Sequence, residues 1–239
     1  MKLNYETCLV GRTCVLVPYR PEHVERYHEW MQSPDLLEAT GSEPLSLKEE
    51  YEMQQSWRDD PSKCTFIVLA KEKCDMGATM ENLDSQEDND FVNRNLDAMV
   101  GDVNLFLSEQ DSEDVSDEQE GFSTTDENEN EKMQAEVDIM IAERWGQRKG
   151  IGKEATSLMI QYATSHLNIA RFFCKINEDN TPSRNMFQKS LGFIQCDYAE
   201  CFRQYEYELR RTSGDSVETL LGSRVIESFQ CRVSPQLES

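Results

Sequence analysis

The sequence predicts an α/β (α+β) domain, in which strands and helices assemble around one central sheet. Two observations carry this prediction. Runs rich in valine, leucine, isoleucine and phenylalanine alternate along the chain with segments whose apolar residues recur at helical spacing. Hydrophobic residues make up only 38% of the 239 residues, and much of the formal net charge of −22 comes from two stretches. The chain is therefore long enough for one domain, and part of it lies outside the core.

Strand and helix patterns open the chain. The predicted elements are strand Arg12–Tyr19, helix Arg20–Ser33, helix Ser46–Asp60 and strand Lys63–Lys71. Pro21 suits the first turn of the first helix, because the fixed φ of proline is already helical there. Ser46 and Glu49 have the spacing of a capping box, which places the start of the second helix.

The second half continues the alternation and ends on a strand. Its predicted elements are strands Met99–Ser108 and Gln134–Ala142, helix Gly150–Ser165, strand Ala170–Asn177, helix Asn180–Phe193 and strand Arg203–Arg211. Pro182 lies in the first turn of the last helix, and Gly192 is suited to the left-handed position that ends it.

Two acidic stretches interrupt this order between neighbouring strands. The segment 108–131 holds eleven acidic residues and neither lysine nor arginine, which is half of the net charge of −22. Such segments bury too little apolar surface to offset the entropy of ordering. We therefore predict disordered loops at about 71–98 and 108–133, within a single domain of residues 1–211, and a C-terminal tail at 212–239.

Composition also excludes several classes of function. A charge of −22 disfavours nucleic acid and an anionic membrane surface, because both require basic protein surface. No apolar run approaches the length that spans a bilayer, and the first residues lack a secretory signal. The eight cysteines include no C-x-x-C pair, so we expect no metal site and a cytoplasmic, reduced protein.

A basic, glycine-bearing turn at Gln147–Gly152 (QRKGIG) joins a predicted strand to a predicted helix. Backbone amides at such a junction and the positive end of the helix dipole form a pocket for an anion such as a pyrophosphate. Arg148, Lys149 and Lys153 add positive charge. The alternative is a tight turn with solvated basic residues. The spacing fits neither a Walker A loop nor a dinucleotide fingerprint.

The turn and a second motif resemble those of the GNAT family of N-acetyltransferases. Gln147–Gly152 matches the family pattern [QR]-x-x-G-x-[GA], and N-x-x-S follows as Asn180–Ser183, in a helix that ends Leu191-Gly192-Phe193. The resemblance covers about Arg12 to Arg211. The segments LVPYRPEHVERYHEWM, KCTFIVL and GDVNLFL are similar to the N-acetyltransferase-9-like subfamily, which is related to the ribosomal-protein alanine acetyltransferases.

This resemblance implies a fold and a cosubstrate. It implies a mixed central sheet, split into a V by acetyl-CoA between Gln134–Ala142 and Ala170–Asn177, with helices on both faces. Direct acetyl transfer to an amine is implied, without an acyl-enzyme. The implied acetyl-CoA contacts are Met140, Ile141, Ala142, Gln147, Arg148, Lys149, Gly150, Ile151, Gly152, Lys153 and Asn180.

An amine acceptor is protonated at neutral pH, so the reaction needs a base. Glu136 is the first candidate, since it stands eleven residues before Gln147, the spacing of the glutamate base in histone-acetylating relatives. Strand alternation puts Asp138 on the same face, where two carboxylates can raise each other's pKa. The alternative is that both are solvated, or that one pairs with Lys175.

The acid that protonates the leaving thiolate is harder to place. Ribosomal-type relatives use a tyrosine three residues after N-x-x-S, but this region reads Met186-Phe187. Tyr205 and Tyr207 on the closing strand are substitutes, with ordinary strand aromatics as the alternative.

The subfamily resemblance implies a protein acceptor, an amino terminus such as that of tubulin. An acidic rim attracts a cationic terminus, but it attracts lysines and small amines equally. The other hypothesis is a catalytically weak binding module that acts through protein partners. Its basis is the absence of the usual tyrosine and of a base on the later strand, where Lys175 stands.

Overall fold

The computed structural model describes residues 2–76, 91–109, 133–167, 169–211, 216, 220–222 and 229–232. Most of the two predicted disordered loops, at 77–90 and 110–132, lies outside the described residues. Among those that are described, no helix combines the length and apolar character needed to cross a bilayer.

The described strands form one mixed sheet in the order β7-β8-β6-β5-β4-β3-β2-β1-β9. The strands are β1 Thr7–Val10, β2 Cys14–Pro18, β3 Lys63–Ala70, β4 Met99–Glu109, β5 Met133–Ile141, β6 Ile169–Asn177, β7 Ile194–Ala199, β8 Gln204–Arg210 and β9 Phe229–Arg232. Neighbouring strands are antiparallel except β5 and β6, which run parallel. Helix α5, which joins them, supplies the long crossover that a parallel pair requires.

Helices cover both faces of the sheet. They are α1 Val24–Trp30, α2 Pro34–Thr40, α3 Leu47–Asp59, α4 Phe91–Arg94, α5 Ile151–His166 and α6 Thr181–Asn185. On one face, α1 packs Tyr27 and Trp30 into a core with Val17 and Ile67 of the sheet. On the other face, α5 buries one side against a larger core. The predicted mixed α/β fold with helices on both faces is confirmed.

The last predicted helix changes its winding midway. Helix α6 passes directly into a π-helical turn over Met186–Leu191. It ends at Gly192, whose φ of 79° is the left-handed conformation that glycine adopts at low cost. The predicted position of this stop at Gly192 is confirmed.

The C-terminal residues contribute to the sheet, which differs from the predicted tail. Strand β9 pairs antiparallel with β1, with Cys8 opposite Cys231, and Leu221 is fully buried. Both strands have only four residues, so neither carries enough alternation to be recognised in the sequence. The domain therefore extends beyond residue 211.

The predicted disorder at 71–98 is also too broad. Phe91 and Val92 are buried in α4, and Asn95 joins the two ends of the segment. The Asp75 amide donates to Asn95 Oδ1 at 2.7 Å, and Asn95 Nδ2 donates to the Asp75 carbonyl at 3.3 Å. A few apolar residues near the end of a charged stretch are thus enough to fix it on the core.

Candidate active site

Strands β5 and β6 separate partway along their length. Their parallel pairing ends at Glu136 opposite Phe173. Beyond this point β5 stays paired with β4 as far as Ile141, and β6 stays paired with β8 as far as Asn177. The sheet therefore opens into a V between the C-terminal halves of β5 and β6, as the family resemblance implies.

The turn at Gln147–Gly152 lies at the mouth of this split. Gly150 has a φ of 81° and immediately precedes α5, and no described side chain caps the helix. The amides of its first turn are consequently open to an anion. A Cβ atom at position 150 would meet no atom within 4 Å, so the glycine is required by its backbone conformation and not by close packing.

Basic residues surround the turn, although one of them is already paired. Arg148, Lys149 and Lys153 are exposed. The Lys149 ammonium lies 2.5 Å from Glu72 Oε1 in a partly exposed ion pair. Lys73 lies 3.4 Å from the centre of the Trp145 ring. Trp145 thus packs beside the turn, and the Lys73 ammonium lies against the face of its indole ring.

The turn is tied to the end of β5. Gln147 Nε2 donates to the Ile141 carbonyl at 2.9 Å. Met140 is buried in the core beneath α1, while Ile141 and Ala142 are half-buried. The edge of β5 that faces the split has no described strand partner beyond Glu136, so its backbone groups are available to an extended ligand.

Asn180 stands at the opposite side of the split, where β6 leads into α6. Its Oδ1 accepts a hydrogen bond from the Ser183 amide at 3.2 Å and so caps the helix. The side-chain amide has donors in addition to this acceptor. Asn180 can therefore fix α6 and still donate to a ligand in the split.

Glu136, Asp138 and Met140 share one face of β5, as their alternation predicts. Asp138 is the cross-strand neighbour of Asn104 and is the first residue on this face beyond the last β5–β6 pair. Burial raises the pKa of Asp138 to about 6, with a further contribution from the charge of Glu136. In the described part of the chain, Lys175 forms no ion pair with either carboxylate.

Two buried polar residues that the sequence analysis does not single out lie on β4, next to the candidate bases. Asp102 and Asn104 are 2% and 3% exposed, and Asn104 Nδ2 donates to Asp102 Oδ2 at 2.7 Å. Burial raises the pKa of Asp102 to about 7, and the nearby charge of Asp138 adds to this rise. The sequence does contain an indication of this pair. Two polar residues at alternate positions of an otherwise apolar strand point to the same face and need buried partners.

Tyr205 lies on the other face of the sheet. Its cross-strand neighbour Ile176 belongs to the core beneath α5, whereas Asp138 faces α1. The guanidinium of Arg184 lies 4.1 Å from the Tyr205 ring centre. Tyr207 is fully buried and its hydroxyl accepts from Arg184 Nε at 3.0 Å. The structure thus does not bring the candidate acid and the candidate bases together on one face.

Glu143 connects the end of β5 to α1. Its Oε1 accepts hydrogen bonds from Trp30 Nε1 at 2.9 Å and from Arg26 Nη2 at 2.5 Å. A cavity of about 290 Å³ adjoins this network, with Glu29, Asp35 and Glu143 among its lining residues. The cavity also reaches Gln147, so it borders the mouth of the split.

The split sheet beside the open amino end of α5 is the arrangement of an acetyltransferase fold. Residues 14–194 match the model of the acetyltransferase (GNAT) domain, and the chain belongs to this family. It is an N-acetyltransferase, and the resemblance to the N-acetyltransferase-9-like subfamily is confirmed.

Similar proteins align with nearly the whole chain. It is 43% identical to the N-acetyltransferase 9-like protein of Caenorhabditis briggsae, over 96% of this chain and 98% of the relative. It is 42% identical to the human alpha/beta-tubulin-N-acetyltransferase 9, over 90% and 88% of the two chains. In fold it is similar to the spermidine N-acetyltransferase of Vibrio cholerae solved with CoA and spermine, with a TM-score of 0.54, 15% identity and coverage of 86% and 96%.

Proposed function

We propose that this protein transfers the acetyl group of acetyl-CoA directly to the α-amino terminus of a protein, with tubulin as a candidate. The observation that carries the proposal is the juxtaposition of the β5–β6 split and the uncapped start of α5. Names of relatives support the acceptor, since several are alpha/beta-tubulin-N-acetyltransferases.

The residues around the split are suited to hold acetyl-CoA. The first-turn amides of α5 and the exposed Arg148 and Lys153 receive the pyrophosphate. The free edge at the end of β5, together with Ala142 just after it, offers backbone groups to the pantetheine arm, and Asn180 offers its side-chain amide from the other side. Lys149 contributes less than the sequence suggests, because Glu72 already neutralises it.

The acceptor side of the split carries the base. Asp138 is better placed than Glu136, because Glu136 lies level with the last β5–β6 pair whereas Asp138 lies just inside the opening. The raised pKa of Asp138, about 6, suits a base that works near neutral pH. As the amine nitrogen bonds to the acetyl carbon and the carbon–sulfur bond breaks, Asp138 takes the amine proton. Solvent returns a proton to the thiolate, because Tyr205 lies on the other face of the sheet.

The surroundings favour a cationic acceptor that belongs to a larger chain. Three carboxylates, Glu29, Asp35 and Glu143, line the cavity beside the split together with one cation, Arg144. Arg26 pairs with Glu29 and Glu143, so Asp35 is the lining carboxylate that attracts a protonated amino terminus. A volume of about 290 Å³ accommodates a few residues behind that terminus. A cytoplasmic location belongs to this proposal, supported by six cysteines that are free thiols, Cys14, Cys64, Cys74, Cys174, Cys196 and Cys201.

A peptide library with free or acetyl-blocked amino termini tests the proposal. Acetyl-CoA consumption should require the free terminus, and peptides from the amino ends of tubulin should be among the best acceptors. Matched peptides with a blocked terminus and an internal lysine, together with free polyamines, serve as controls. Preferential acetylation of those controls would replace the N-terminal function with lysine or small-amine acetylation. No turnover on any acceptor, with intact acetyl-CoA binding, would favour the binding-module alternative.

A further inference from the structure

A pair of carboxylates, with Asp138 half-buried and Asp102 fully buried, extends inward from the split. We propose that Asp102 is a positioning residue for the acetyl transfer, which shares one proton with Asp138 across Asn104 and thereby sets how strongly Asp138 binds a proton. The catalytic meaning of this pair rests on the proposed function, whereas the sharing of the proton is a property of the protein alone.

The sheet register brings the three side chains to one face. Asn104 is the cross-strand partner of Asp138, and Asp102 lies two residues from Asn104 on the same strand. Side chains of directly opposed residues have their Cβ atoms within about 5.5 Å, and residues two apart project from the same face. Asn104 therefore lies between the two carboxylates, and its Nδ2 already donates to Asp102 Oδ2 at 2.7 Å.

Two buried acceptors in this cluster have no donor. Asp102 Oδ1 and Asn104 Oδ1 are both inaccessible to solvent and have no hydrogen-bond partner among the described residues. Each is an acceptor and needs a donor. The Tyr27 hydroxyl interacts with Asp102 and lowers the pKa of Asp102, but Asp102 Oδ1 still has no hydrogen-bond partner. A carboxylic proton on the pair provides such a donor. Protonated Asp138 can donate toward Asn104 Oδ1, while Asn104 continues to donate to an ionised Asp102.

No described cation neutralises the pair. The titratable groups that face it are Tyr27 and His28 of α1, Glu50 of α3, Tyr19 after β2, Glu136 of β5 and Lys175 of β6. Strand β3 presents the uncharged Thr65 and Ile67 opposite Asn104 and Asp102. His28 lies 3.8 Å from Glu50 instead, and neither Asp102 nor Asp138 has a described ion pair.

Two unneutralised carboxylates in such a site cannot both ionise readily. One shared proton removes half of the charge and supplies the missing donor at once. Burial raises the pKa of both groups, to about 7 for Asp102 and to about 6 for Asp138. The charge of Asp138 adds to the rise at Asp102, whereas the charge of Glu136 adds to the rise at Asp138. A coupled pair of this kind titrates in two steps that belong to both residues.

The consequence concerns the base at the split. The pair loses its last proton at the second titration step. Below the pH of that step, the shared proton resides on Asp138 in a fraction of the molecules. Asp102 therefore extends the proton affinity of Asp138 toward neutral pH, and its removal leaves a weaker base.

Carbon NMR of protein labelled at the aspartate carboxyl carbons tests the sharing directly. Wild type, Asp102→Asn, Asp138→Asn and the control Glu109→Gln are titrated without any cosubstrate or acceptor. Glu109 is an exposed carboxylate at the far end of the same strand. We expect Asp102 to titrate well above the ordinary value, and its midpoint to fall by about one pH unit or more in Asp138→Asn. The control should move neither midpoint.

Steady-state kinetics with an accepted peptide supplies the second readout. In Asp102→Asn the acidic limb of the kcat–pH profile should shift to lower pH by about half a unit or more, with unchanged acetyl-CoA affinity. An Asp102 midpoint in the ordinary range, or one that Asp138→Asn leaves in place, overturns the proposal. If Asp102→Asn does not fold, the wild-type and Asp138→Asn titrations still decide. If no amine is acetylated, the proposed function fails while the titration remains a valid test of proton sharing.

Discussion

The carboxylate of Glu154 on α5 accepts hydrogen bonds from both the backbone amide and the hydroxyl of Thr13, in the turn between β1 and β2. The amides of Arg12 and Cys14 donate to the same carboxylate at 3.0 and 3.1 Å. Glu154 is only 5% exposed. The helix that begins at the Gln147–Gly152 turn is thus fixed to the β1–β2 hairpin by one charged group.

Replacing Glu154 by glutamine should destabilise the fold. Glutamine has one neutral acceptor oxygen in place of the two charged oxygens of glutamate. The buried amides of the hairpin therefore lose charge-assisted hydrogen bonds. We expect Glu154→Gln to lower the free energy of unfolding by about 1.5–3 kcal/mol, measured by urea denaturation at pH 7. The control Glu25→Gln, at an exposed position on α1, should change it by less than about 0.5 kcal/mol.

The loss of stability in Glu154→Gln should be larger at neutral pH than at acidic pH. Burial alone would raise the pKa of Glu154, but the hydrogen bonds from Thr13, Arg12 and Cys14 outweigh it and hold the pKa below its ordinary value. A depressed pKa contributes stability above the unfolded-state pKa, and this contribution is lost as the pH falls through the folded-state pKa. The difference in the free energy of unfolding between wild type and Glu154→Gln should therefore become smaller below about pH 4. A constant gap would show that the carboxylate's charge is unimportant.

Elements with strong periodicity or caps could be predicted from the sequence. The capping box of Ser46 and Glu49 is present at the start of α3, and strand β5 has the predicted alternation. Helix α2 and strands β1, β7 and β9 were missed. The strands β1 and β9 have only four residues each, and β7 is largely exposed, so their stability comes from pairing with strands that are distant in sequence.

In the candidate site, too, local features could be predicted from the sequence, whereas features that depend on contacts distant in sequence could not. The turn at Gln147–Gly152 is local and could be recognised from its residues. Asp102 and Asn104 matter only because the β4–β5 register places Asn104 opposite Asp138, and sequence spacing does not give that register. The pairing of Lys149 with Glu72 joins residues 77 positions apart and was likewise invisible.

A matched pair of substitutions at Gly150 tests the phosphate site. Gly150 has a φ of 81°, which asparagine and aspartate tolerate better than other side chains. Gly150→Asn and Gly150→Asp therefore introduce similar size and strain and differ by one negative charge. We expect Gly150→Asp to bind acetyl-CoA at least about tenfold more weakly than Gly150→Asn, or about 1.4 kcal/mol. Equal affinities by calorimetry would argue against a pyrophosphate at this turn.

The buried Asp102 carboxyl should lower the free energy of unfolding at high pH. Burial and the charge of Asp138 raise the pKa of Asp102 to about 7, so the folded protein favours the protonated carboxyl. The stability due to that proton is present below the ordinary aspartate pKa and is lost as the pH rises through about 7. Asp102→Asn should therefore have a higher Tm than wild type at pH 8, and the difference should shrink toward pH 5.

Thermal scans of both proteins across this pH range make the comparison. Asp97→Asn provides the control, because this aspartate lies just before β4 on an exposed position and should behave alike at both pH values. A lower Tm for Asp102→Asn at pH 8 would mean that the ionised carboxylate stabilises the fold.

The base at the split can be identified by comparing Asp138→Asn with Glu136→Gln. Both changes keep the shape of the side chain and remove its basicity. Because Asp138 is the first residue on this face inside the opening, we expect its replacement to lower kcat by about 10²–10⁴ at pH 7, with acetyl-CoA affinity little changed. Glu136→Gln should have a smaller effect, since Glu136 acts on the site chiefly by raising the pKa of Asp138. The deficit of Asp138→Asn should diminish above about pH 8, where an α-amine arrives neutral. A larger loss in Glu136→Gln would transfer the role to Glu136, and equal activity of both variants with wild type would leave the amine proton to water.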